Sequence, residues 1–87
     1  MEVIELKNVQ LKEGHIFYFR KYTAIAILKI PTTTTEEQIE FSIETGPLGN
    51  KNIEVVLKST PNYPIIPIVQ GLKKFIIKND TEGLLPT

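Results

Sequence analysis

The strongest apolar period in this chain runs from Pro64 to Asn79, PIIPIVQGLKKFIIKN. At about 100° per residue, Ile65, Ile68, Val69, Leu72, Phe75 and Ile76 fall within one arc of roughly 120°. Gln70, Lys73, Lys74 and Lys78 take the other side. Pro64 and Pro67 stand where the first helical turn has backbone N–H groups without partners, and the lysines gather toward the end where the helix dipole favours cations. The spacing predicts a helix over 64–79, with Leu72 and Phe75 near the middle of its buried face. A short strand over Lys74–Lys78, alternating through Phe75 and Ile77, is the lesser alternative.

Before Pro64 the pattern has a period of two. Ile4 and Leu6 share one face of an extended Glu2–Leu11, and the phase then changes to Val9 and Leu11. One extra residue near Asn8, a β-bulge, returns both pairs to the same side. Lys12-Glu13-Gly14 reads as a turn. It is followed by the aromatic and β-branched run His15–Tyr22 and then by Thr23–Ile30, whose apolar residues lie on both faces, as in a central strand covered on two sides. Either Arg20-Lys21-Tyr22 turns, or it is the middle of one long strand.

Pro31 and the threonines to Thr35, with Glu36 and Glu37, form a polar connector. Thr35 and Gln38 have the spacing of a helix capping box. The residues beyond them read as a strand instead: Ile39, Phe41 and Ile43 alternate with Glu40, Ser42 and Glu44, so the first three are expected buried and the last three exposed. Gly46–Asn52 is a hairpin loop, and Ile53, Val55 and Leu57 repeat the alternation. Ser59–Tyr63 crosses into the helix, and Asp80–Thr87, with Gly83 and Pro86, is a tail.

The element order β-β-β-β-β-α predicts an α+β fold: one domain over 1–87, an antiparallel sheet of about five strands, and one C-terminal amphipathic helix on a face. A small, partly closed β-barrel capped by the helix is the alternative. At 87 residues the core is small, and there is no cysteine to staple it. Association is one way to supplement such a core.

Ten basic residues balance ten acidic ones, so no overall field draws the chain to nucleic acid or to anionic membranes. No window reaches the ~18 apolar residues of a membrane helix, and the start Met-Glu-Val-Ile-Glu has neither the basic nor the apolar run of an export signal. The expected location is the cytoplasm.

The chemistry available is sparse. His15 is the single histidine, which excludes histidine clusters for zinc. Glu40 and Glu44 read as a solvated strand face rather than an acid/base pair. Gly46-Pro47-Leu48-Gly49 has the spacing of a backbone-clamping G-x-x-G loop, but it joins two strands and Pro47 removes an amide. No catalytic set, metal site or cofactor loop is expected.

In His15–Tyr22, aromatics interleave with bases, as on sheets that stack RNA bases, although the octet does not match the RRM pattern. Two readings of function result. The first is a non-catalytic interaction module that self-associates as a homodimer, by the outer sheet face or by a helix side carrying Ile66, Gln70, Lys73 and Ile77. Its reason is the apolar surface left over when one helix covers a two-sided strand. The second is a small nucleic-acid-binding protein using Tyr18, Arg20, Lys21 and Tyr22 with Lys74 and Lys78.

Overall fold

Four strands and one helix succeed one another as β1 (Glu2–Ile16), β2 (Phe19–Ile30), β3 (Thr33–Thr45), β4 (Lys51–Leu57) and α1 (Ile65–Thr81). The computed structural model describes residues 1–16 and 18–87, with side chains to Glu13 and again from Tyr18. The expectations for the His15 side chain and for Phe17 lie outside the described residues. The strands form one antiparallel meander in the order β1-β2-β3-β4. The class is α+β, as the patterning predicts, but the sheet has four strands, and it stays open because β1 and β4 are its two edges.

The fifth strand disappears for a local reason. Lys12-Glu13-Gly14 is no turn. The chain stays extended to Ile16, which pairs with Phe19, and the register slips between Leu11 and Glu13 and again between Glu13 and Ile16. Glycine and charge here mark bulges in an edge strand, which keep the ladder while absorbing extra residues. Arg20-Lys21-Tyr22 is the interior of one continuous β2. The threonine run is likewise strand, since Ile30 pairs with Thr33 across the two-residue turn Pro31-Thr32 and β2 and β3 stay in register over twelve pairs.

The expected bulge near Asn8 is present. Asn8 adopts φ 52°, a left-handed conformation that asparagine tolerates better than most residues. It lets Leu6, Val9 and Leu11 all pack on the core. A second slip, between Val3 and Glu5, turns Ile4 out to solvent and puts Val3 in its place.

The covered face of the sheet carries Tyr22, Ala24, Ala26 and Leu28 of β2, Ile39, Phe41 and Ile43 of β3, and Ile53 of β4. Ile68, Leu72 and Ile76 of α1 complete this cluster, with Leu85 of the tail. The alternation expected in β3 holds for its dry face. Glu44 is exposed on the other, while Glu40 and Ser42 are half-buried between strands. Ala24 and Ala26 let α1 approach the sheet closely, and Gly71 does the same against β1, where a Cβ would come within 2.9 Å of the Met1 side chain.

The opposite face is less apolar than Thr23–Ile30 suggests. Ile25 pairs with Lys7 and Gln38, and Ile27 with Glu5 and Glu36. Ile27 is buried and Ile25 half-buried in a face otherwise made of long polar side chains.

The helix ends as the Asn79–Gly83 composition anticipates, two residues beyond the predicted Asn79. Gly83 takes φ 71°, its N–H donates to the Asp80 carbonyl, and the Leu84 N–H donates to the Asn79 carbonyl. This is a Schellman stop, which satisfies carbonyls the helix leaves open and turns the tail back toward the sheet. Among the described residues no helix is long and apolar enough to cross a membrane.

Phe75 is a correction. The observed buried axis is Ile68-Leu72-Ile76, and Phe75 lies about 60° off Leu72, half-buried and outside the core cluster. Leu72→Ala should therefore lower stability by about 2–5 kcal/mol, and Phe75→Ala by distinctly less. Urea unfolding midpoints measured at constant slope provide the check, and equal losses would contradict this facing.

Candidate functional site

The flank of α1 that covers no part of the sheet can be located from its neighbours. Around the helix axis, Gly71 lies about 100° to one side of Leu72 and Asp80 about 80° to the other. Gly71 faces Met1 and Val3 at the β1 side, whereas Asp80 meets Lys51 at the start of β4. Ile66, Gln70, Lys73 and Ile77, at about 100–160° on the Asp80 side, thus line the flank above the β4 edge. Ile66 is 67% exposed and Ile77 42% exposed, with Gln70 exposed and Lys73 half-buried between them. Two isoleucines therefore meet water about 16 Å apart on one stripe. Ile65 and Leu84 are also exposed, beyond the two ends of the stripe.

What holds this helix in place at its far end is a polar clasp. Asp80, its side chain 8% exposed, receives Arg20 of β2 at 2.9 Å and also pairs with Lys51 of β4. Arg20 donates a second bond to the Tyr22 hydroxyl at 2.9 Å, and that hydroxyl donates to the Pro86 carbonyl at 2.8 Å. The Tyr22 ring stacks on Phe41 at 4.8 Å between centroids. One aspartate thus joins helix, centre and edge, and one tyrosine joins the core to the tail.

The electrostatics follow from this geometry. Burial pushes the Asp80 carboxyl up, but the hydrogen bonds from Lys51 and Arg20 outweigh it and hold the group below the ordinary aspartate value. Burial pushes the Tyr22 hydroxyl up, with Arg20 opposing. On the uncovered sheet face, a hydrogen bond from Lys58 holds the Glu40 carboxyl below its usual range.

The residues proposed from sequence for nucleic acid do not converge. Tyr22 is fully buried in the core, so its ring cannot stack on a base, and Arg20 is engaged by Asp80 beside it. Lys21 points to the uncovered face of the sheet, 4.0 Å from Glu40, and Tyr18 sits at the end of the β1-β2 hairpin. Lys74 and Lys78 stand exposed on α1, across the sheet from Lys21. The interface set behaves differently, because Ile66, Gln70, Lys73 and Ile77 form one continuous stripe.

Sequence reading found that stripe but missed the clasp. Arg20 and Asp80 are sixty positions apart, and nothing in either neighbourhood marks them as partners.

The chain belongs to a protein family whose model matches residues 1–81, from the first residue to the end of α1. No curated protein and no solved structure matches it.

The clasp predicts a definite acid dependence. A carboxylate whose folded value is depressed stabilises the fold above its unfolded value, about 3.9, and that contribution is lost as pH falls through the lower folded value. Asp80→Asn should cost about 1.5–3 kcal/mol at pH 7, the range for hydrogen bonds to charged groups. It should also flatten the stability profile between about pH 4 and the acid limb. Chemical denaturation of both proteins across pH 2–7 tests this, and parallel profiles would remove Asp80 as the cause.

Proposed function

We propose that this protein is a non-catalytic interaction module that pairs with a second copy of itself through β4 and the exposed flank of α1. The observation carrying this reading is that one twofold axis serves both elements. Positions 66 and 77, like 70 and 73, are symmetric about the midpoint between Gly71 and Leu72. Two antiparallel copies of α1 therefore set Ile66 against the partner's Ile77 and Gln70 against the partner's Lys73.

The sheet edge beneath fits the same axis. α1 returns antiparallel to β4, since Asp80 comes back to Lys51. The helix midpoint lies about 13 Å from Asp80 at 1.5 Å per residue. Val55 lies about 13 Å from Lys51 along the strand at 3.3 Å per residue. Pairing β4 about Val55 places Ile53 opposite the partner's Leu57 on the covered face and Glu54 opposite the partner's Val56, with no like charges opposed. Val56, exposed on the uncovered face, gains cover in this arrangement.

The two edges differ in a way that favours β4. Edge strands invite pairing unless they are bulged or charged. β1 carries four register slips and the left-handed Asn8, whereas β4 pairs with β3 without a slip. The balanced net charge offers no repulsion between copies.

Sedimentation equilibrium at micromolar concentration should give twice the 9.9 kDa chain mass. Ile66→Glu with Ile77→Glu should return it to the mass of one chain with the circular dichroism spectrum retained, because the stripe is exposed in the single chain. A parent mass of one chain, or a variant that still pairs, would overturn the reading.

A further inference from the structure

At the other end of the sheet from the clasp, the turn Pro31-Thr32, the start of β3 and the segment leading into α1 enclose a cavity of about 230 Å³. One of its walls is Glu37. Counting back by two from Ile43, Phe41 and Ile39 places this carboxylate on the dry face, and the residue is only 8% exposed. The small side chain of its pairing partner in β2, Ala26, leaves it room.

Among the described residues, Glu37 lacks a counter-charge. Its side chain accepts one hydrogen bond there, from the Ser59 hydroxyl at 3.3 Å, and no described lysine or arginine forms an ion pair with it. Lys58, its close neighbour across the edge, is committed to Glu40. A carboxylate so far removed from water and so thinly partnered is unfavourable unless a cation joins it. We propose that this cavity binds a small primary ammonium compound, with Glu37 as the counter-ion.

The remaining walls fit that chemistry. An ammonium group has three donors and no acceptor, so it needs oxygen atoms around it. Glu37 supplies a charged one, and the hydroxyls of Thr33, Thr35, Thr60 and Tyr63 line the same space. The Tyr63 ring adds a face of the kind that attracts organic cations. Ile30 and Ile68 give an apolar wall for a short carbon chain.

A divalent metal fits less well. Calcium takes six to eight oxygens, usually with several carboxylates, whereas this cavity has one carboxylate and no group of three His, Cys, Asp or Glu gathers among the described residues. The volume lies below that of most drug-sized ligand sites, which limits the occupant to a few carbon atoms beyond its amine.

The test is a titration of the ¹⁵N-labelled full chain with n-butylammonium chloride, followed by amide chemical shifts, with n-butanol as the uncharged probe of the same length. Saturable shifts confined to Thr33, Thr35, Glu37, Thr60, Tyr63 and their neighbours are expected for the ammonium, with at least tenfold weaker binding of the alcohol. Glu37→Gln, nearly isosteric, should weaken the ammonium at least tenfold while leaving the spectrum folded. Absent, non-saturating or scattered shifts would overturn the proposal, as would equal affinity for n-butanol or undiminished binding by Glu37→Gln. The n-butanol comparison uses the unaltered chain, so the result does not depend on the variant folding.

Discussion

The docking of one helical stripe on one sheet face underlies everything else in this molecule. Ile68, Leu72 and Ile76 recur at four-residue intervals and are fully buried, so successive turns of the helix rest on the same row of strand residues. A four-stranded meander with one bare apolar face is not stable by itself in water, and a helix of this length is marginal alone. Neither element stands without the other. Alanine in the middle of β2 and glycine in the middle of α1 bring the two surfaces close enough for this small core to reach normal packing density.

Much of this was legible because period and parity are robust signals. The β3 alternation, the α1 stripe through Leu72 and the bulge at Asn8 all follow from counting, and each describes where residues go. The errors arose where composition stood in for counting. Gly14 and the charges beside it resemble a turn, yet in an edge strand they make bulges, and a threonine run resembles a loop, yet in register with β2 it is strand. Facing errors came from edges of arcs: Phe75 belongs to the apolar arc but not to its buried centre.

Glu37 shows both the strength and the neglect of the parity rule. The same count that puts Ile39, Phe41 and Ile43 on the covered face puts Glu37 there too, and a charged residue on a dry face is the sort of exception that marks a site. Reading it as part of a polar connector hid it. The clasp at Asp80 had no comparable signal, since its geometry exists only once β2, β4 and α1 are assembled.

The unbroken ladder between β2 and β3 also bears on the order in which the chain assembles. Its twelve pairs grow outward from a two-residue turn without a slip, so each new pair closes only a short loop and the entropy of closure stays small. The contacts that complete the molecule are of the opposite kind. Met1 reaches Gly71, and Arg20 reaches Asp80, across most of the chain, and such long closures become favourable only after the sheet has made a surface to land on. The central hairpin is thereby the natural nucleus, and the helix, with the tail behind it, is the last part to arrive and the first to leave.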